Sequence, residues 1–127
     1  MSDLQSMISA YEKIASKCNY SLHLGLTEAG GNIKGTVSSA AALSILLEQG
    51  IGDTIRVSLT PEPGARRDLE VEVCKNILQS MGFRSFEPQV VSCPGCGRTS
   101  SDKFQHLAKY VSEQIKTKMS EWTRKYE

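Results

Sequence analysis

With 127 residues, fifteen lysines and arginines against fourteen aspartates and glutamates, and a formal charge of +1, the chain is about one domain's worth of material with no large electrostatic field. That balance gives nucleic acid or a membrane surface no charge to be drawn by, and no apolar run approaches the roughly 20 residues of a membrane span. The N-terminus lacks the basic, apolar, small-residue order of a signal peptide, so a cytoplasmic, reducing location is expected, in keeping with four cysteines of which two form a CxxC.

Ser2 with Gln5 has the form of a capping box. Leu4, Met7, Ile8, Tyr11, Ile14, Ala15 and Cys18 follow at helical spacing, predicting an opening helix with one apolar stripe. Residues 21–27 read as a short strand in which Leu22, Leu24 and Leu26 alternate, followed by a loop through Gly30-Gly31. A second helix is predicted over 36–49, rich in Ala, Ser, Leu and Ile, with Gly50 as the residue that ends it. Residues 54–59 alternate as a second strand, Ile55, Val57 and Leu59 on one side and Arg56 and Ser58 on the other. Beyond the stiff loop Pro61-Glu62-Pro63-Gly64, the residues Leu69, Val73, Cys74, Ile77, Leu78 and Met81 mark a third helix closed by Gly82. Residues 88–92 are predicted as a third strand that delivers the chain into Cys93. Phe104, Leu107, Ala108, Val111, Ile115, Met119, Trp122 and Tyr126 then make a long helical stripe, with Lys116, Lys118, Arg124 and Lys125 among acidic neighbours as its solvated face.

The order is α-β-α-β-α-β-α, and helix-length crossovers between strands imply parallel, right-handed βαβ units of an α/β fold. In such folds chemistry gathers at the carboxyl ends of the strands. Glu28 follows the first predicted strand, Arg56 and Ser58 lie along the second, and Cys93 follows the third. Three parallel strands leave open edges, so a segment of a larger barrel or open sheet is a better reading than a complete small domain.

Cys93-Pro-Gly-Cys96 carries the plainest chemistry: two thiols on a Pro/Gly turn are half of a soft-metal site. A zinc ribbon needs a second CxxC, which is missing, and a thioredoxin-like dithiol needs a helix that begins sooner than Asp102. Both a zinc module and a CxxC redox module remain open on the residues alone. Cys18 and Cys74 fall in helical stripes and read as small buried apolar residues. His23, among leucines, reads as a satisfied or partly buried histidine, and His106 as a surface residue.

Three stretches, His23-Leu-Gly-Leu-Thr-Glu-Ala-Gly30, Gly50-Ile-Gly-Asp-Thr-Ile-Arg-Val-Ser-Leu59 and Cys93-Pro-Gly-Cys-Gly-Arg-Thr99, in this order and at these separations, resemble the 4-hydroxy-3-methylbut-2-enyl diphosphate synthases. These are the iron–sulfur enzymes of the non-mevalonate isoprenoid pathway. The resemblance implies a (β/α)8 barrel whose last part is residues 1–82, then the beginning of an iron–sulfur cluster domain at 88–127. It implies a four-iron four-sulfur cluster held by three cysteines and a glutamate, with Cys93 and Cys96 matching two of these ligands and the other two expected beyond Glu127. Glu28 matches the family's acid–base glutamate, Arg56 and Ser58 match substrate contacts, and Arg98 stands beside the cysteines without an assigned role. The implied reaction is an oxidoreductase step, the reductive opening of 2-C-methyl-D-erythritol 2,4-cyclodiphosphate with electrons from ferredoxin or flavodoxin, in a homodimer. A piece with two of four ligands is expected to bind no cluster and to be inactive by itself.

Overall fold

The structure is a computed structural model that describes residues 3–61, 63–64, 66, 68–92, 95 and 101–126. The chain falls into two compact units, residues 1–84 and 85–127.

In the first unit, helix α1 spans Leu4–Ala15. Asp3 is its N-cap, its carboxylate accepting the Ser6 N–H at 2.7 Å, which satisfies one of the amides that a helix start leaves without a partner. Ser2 of the expected capping box lies outside the described residues. The helix stops before Cys18 because the Lys17 and Cys18 amides both turn back to the Ile14 carbonyl, at 2.9 and 3.1 Å. Strand β1 is His23–Leu26, helix α2 Asn32–Glu48, strand β2 Thr54–Val57 and helix α3 Leu69–Ser80.

Helix α2 begins four residues before its predicted start at 36. Gly35 explains the difference. A Cβ at this position would collide with the Gly30 carbonyl and come within 2.8 Å of Leu59 Cδ2, so the glycine marks close approach inside the first turns of the helix, not a loop.

β1 and β2 pair in parallel, with His23 opposite Thr54, Leu24 opposite Ile55, Gly25 opposite Arg56 and Leu26 opposite Val57. Side chains alternate across a strand, so Leu24, Leu26, Ile55 and Val57 share one face. That face is buried against Met7 and Ile8 of α1, Ala42, Leu43 and Leu46 of α2 and Ile77 of α3, which together are the core. His23, Gly25, Thr54 and Arg56 occupy the opposite face.

The predicted third strand is a correction. Residues 85–92 are irregular and largely exposed, and the described residues contain a sheet of two strands only. A short run with two β-branched valines is not sufficient for a strand, which exists only where a neighbour takes up its N–H and C=O groups, and Pro88 has no N–H to offer.

The second unit contains helix α4, Lys103–Tyr126. Its stripe shows the predicted period, yet Phe104, Ala108, Val111, Ile115 and Met119 are only half-buried and Leu107 is exposed. Gly95, at φ 81°, lies against Phe104 so closely that a Cβ would stand 2.6 Å from its ring. Among the described residues no helix is long and apolar enough to cross a membrane.

Candidate functional site

β1 ends at Leu26, and Thr27 and Glu28 form the turn that follows. Glu28 has φ 58°, and among the described residues it is the one non-glycine in the left-handed region. A side chain costs about 1–2 kcal/mol there, and glycine avoids that cost. A carboxylate thus occupies a backbone position that local stability would assign to glycine, the kind of strain that collects at functional sites. The residue is exposed.

Arg56 is placed by the sheet. Its register partner Gly25 puts no side chain beside it, and the guanidinium-bearing side chain is exposed on the face away from the helices. One register step earlier on that face, His23 Nδ1 and Thr54 Oγ1 are joined by a 2.7 Å hydrogen bond, and the Tyr11 hydroxyl donates to the His23 carbonyl at 2.6 Å. His23 is therefore satisfied, as expected, but exposed and not buried among the leucines. Ser58 stands one residue past the end of β2 and is half-buried.

The loops leaving the two strands are tied together. Gly31 and Thr60 form an isolated parallel bridge, the Thr60 N–H donating to the Gly30 carbonyl at 3.2 Å. The Leu59 N–H donates to Glu70 Oε1 at 2.7 Å, so a carboxylate in the first turn of α3 holds the chain just beyond Ser58. Sequence reasoning missed Glu70. The available signal was an acidic residue in the first turn of a helix that starts after a Pro/Gly loop, where it also suits the positive end of the helix dipole. Glu28, Arg56 and Ser58 thus lie toward the carboxyl ends of two adjacent parallel strands, Arg56 in β2 and the other two on segments that lead into loops joined by main-chain and carboxylate hydrogen bonds.

Cys93, Cys96 and Arg98 lie outside the described residues, and among the described residues no three His, Cys, Asp or Glu side chains are grouped to hold a metal ion. As donors, two thiols are right in kind for an iron–sulfur cluster and half the usual number. Cys18 and Cys74 are half-buried, where full burial was expected. Cys18 has left its helix, its thiol facing the Ile14 carbonyl at 3.4 Å. Cys74 packs on the core, and burial pushes its thiol pKa up, opposed by a hydrogen bond with the Val57 backbone and reinforced by the charge of Glu70. His106 is exposed and pairs with Asp102 at 3.2 Å.

A parallel two-stranded sheet with one apolar face under helices, and with acid, guanidinium and hydroxyl groups near the strand carboxyl ends, is the arrangement of a small α/β protein built from βαβ units. The comparison with known families agrees: residues 1–75 match the model of the GcpE TIM-barrel domain. The match covers more than half of the chain, and the chain belongs to the GcpE family, the enzymes of isoprenoid biosynthesis that the three sequence motifs resemble.

Proposed function

We propose that the chain contributes to a 4-hydroxy-3-methylbut-2-enyl diphosphate synthase that reductively opens 2-C-methyl-D-erythritol 2,4-cyclodiphosphate, with ferredoxin or flavodoxin as electron donor. On this reading residues 1–82 are the end of its barrel and 88–127 the start of its cluster domain. The observation that carries it is the left-handed Glu28 in the turn after β1, a strand whose register sets Arg56 beside Gly25. In the motif resemblance this glutamate is the acid–base residue, and its backbone strain has no local structural return.

The roles follow from the residue types. Arg56 presents a rigid fork of donors suited to diphosphate oxygens, and the Ser58 hydroxyl, one residue beyond the end of β2, adds a neutral donor. Glu28 delivers a proton to the hydroxyl that departs as water, and its stiff turn keeps the carboxyl from following the backbone of a flexible loop. Cys93 and Cys96 would hold two corners of a four-iron four-sulfur cluster, which when bound supplies electrons and Lewis acidity to the departing oxygen. The remaining ligands come from elsewhere in the enzyme, which acts as a homodimer, so the chain alone is expected not to turn over the cyclic diphosphate. A free-standing zinc or redox module is not favoured, because residues 1–75 belong to a barrel domain.

The test is Glu28→Gln in the intact synthase. Turnover should fall by at least about 100-fold while the visible absorption of the cluster is retained, because an amide has no proton to give at that oxygen. Turnover within a few-fold of the parent would remove Glu28 from this role.

A further inference from the structure

We propose that Glu70 is a positioning residue for the diphosphate grip, a brace from α3 that fixes Ser58 and its neighbour in sequence along β2, Arg56, without touching substrate itself. For its ligand the proposal rests on the synthase reading. For its geometry it rests on hydrogen bonds within this chain.

The Thr60 N–H donates to the Gly30 carbonyl at 3.2 Å, toward the loop that leaves β1. Alternate residues bond to a given neighbour in parallel pairing, so the Leu59 N–H is turned away from β1, to the side of β2 on which the described residues place no strand. Glu70 Oε1 accepts it there at 2.7 Å. A peptide unit is planar, so this bond orients the plane that begins at the Ser58 Cα and thereby sets the Ser58 ψ angle. The Leu59 side chain is held too, its Cδ2 only 2.8 Å from where a Cβ on Gly35 would stand. Ser58 is therefore followed by a residue whose amide is fixed by α3 and whose side chain is fixed by α2, and then by an amide tied to the β1 loop.

Helix α3 is docked in step with β2 to do this. Cys74, one helical turn after Glu70, shares a hydrogen bond with the Val57 backbone, and Ile77 lies in the core. Four helical residues rise about 6 Å and two strand residues about 6.6 Å, so Glu70 at Leu59 and Cys74 at Val57 keep helix and strand in register. Arg56 and Ser58 alternate with those two anchored residues. A second carboxylate supplies the contrast. Asp53 Oδ2 accepts the Leu22 N–H at 2.7 Å, and the Asp53 N–H donates to the Leu22 carbonyl at 2.9 Å. The bond is of the same kind and length, but it ties the amino ends of the strands, away from Glu28 and Ser58.

The test is made in the intact synthase with the cyclic diphosphate. Glu70→Ala should raise KM about tenfold while kcat stays within about threefold, because a displaced grip weakens ground-state and transition-state binding alike. Glu70→Gln keeps an acceptor oxygen and should return KM to within about threefold of the parent. Asp53→Ala should lower stability comparably and leave KM within about twofold, which separates positioning from folding. In the chain by itself, the Leu59 amide should exchange at least about tenfold faster in Glu70→Ala and near the parent rate in Glu70→Gln. A Glu70→Ala enzyme with the parent KM, a Gln variant that recovers nothing, or an equal rise of KM in Asp53→Ala would each overturn the proposal. An intact parent that does not turn over the cyclic diphosphate would overturn the synthase reading instead. The Leu59 amide alone then decides the brace, and equal exchange in the Ala and Gln variants would overturn it.

Discussion

The two units make opposite use of the same kind of amphipathic helix. In residues 3–84, α1, α2 and α3 lay their apolar sides on β1 and β2 and bury ten hydrophobic residues, six of them to 1% exposure or less. In residues 85–126, α4 is longer than any of them and as clearly striped, yet no described residue of that unit is fully buried. A stripe states which side of a helix is available for burial. Burial itself needs a second surface, and the βα units possess one because parallel strands with helical crossovers bring sheet and helices face to face. The first unit is therefore expected to carry nearly all of the stability of the chain.

The largest expected effect tests that contrast directly. Leu43→Ala, at a fully buried position of α2, should cost about 2–5 kcal/mol in chemical denaturation, whereas Leu107→Ala on α4 should stay within about 0.5 kcal/mol. Equal costs would mean that α4 has a packed core in solution. Gly35→Ala comes next: the new methyl meets the Gly30 carbonyl and Leu59, so about 1–3 kcal/mol should be lost, with weaker protection of the Thr60 amide in hydrogen exchange as the local sign.

Two substitutions should stabilise the first unit. The Ser39 hydroxyl is fully buried with no hydrogen-bond partner among the described residues, so Ser39→Ala is expected to raise unfolding free energy by about 1 kcal/mol. Glu28→Gly should raise it by a similar amount, about 1 kcal/mol, by relieving the left-handed strain, while removing the carboxyl that the intact enzyme is proposed to use. Unchanged stability in Glu28→Gly would show that the turn is not strained in solution.

The smallest effects are electrostatic, and they bracket the pH range. The Asp3 carboxyl is held below its ordinary value of 3.8 by the hydrogen bonds from Ser6. Its contribution is therefore present above that value and is lost as pH falls through the lower, folded one. The Cys74 thiol is raised, chiefly by burial, so its contribution is full below the ordinary thiol range and lost as pH rises through the folded value. Asp3→Ala should flatten only the acid limb of a stability–pH profile and Cys74→Ala only the alkaline limb. The reverse pattern, or no change in either limb, would contradict these assignments.

Much of this protein is local and therefore legible along the chain. The periods of 3.6 and two located α1, β1, β2, α3 and α4 to within a few residues, because they reflect which side chains share a face whatever lies opposite. Glu28, Arg56 and Ser58 were legible as candidates from their positions after or along strands, and the family from three motifs. Other features depended on atoms distant in sequence. Residues 88–92 carried the valines of a strand but have no strand beside them among the described residues, and α2 starts before 36 because Gly35 allows the Gly30 carbonyl and Leu59 to approach it closely. Glu70 gains its role only by reaching the Leu59 amide, and the left-handed backbone of Glu28 leaves no mark on the residue periodicity. The sequence thus determined the pattern of faces and the chemistry available on them. The tertiary structure decided which faces are covered, since covering one requires a partner surface that no local pattern contains.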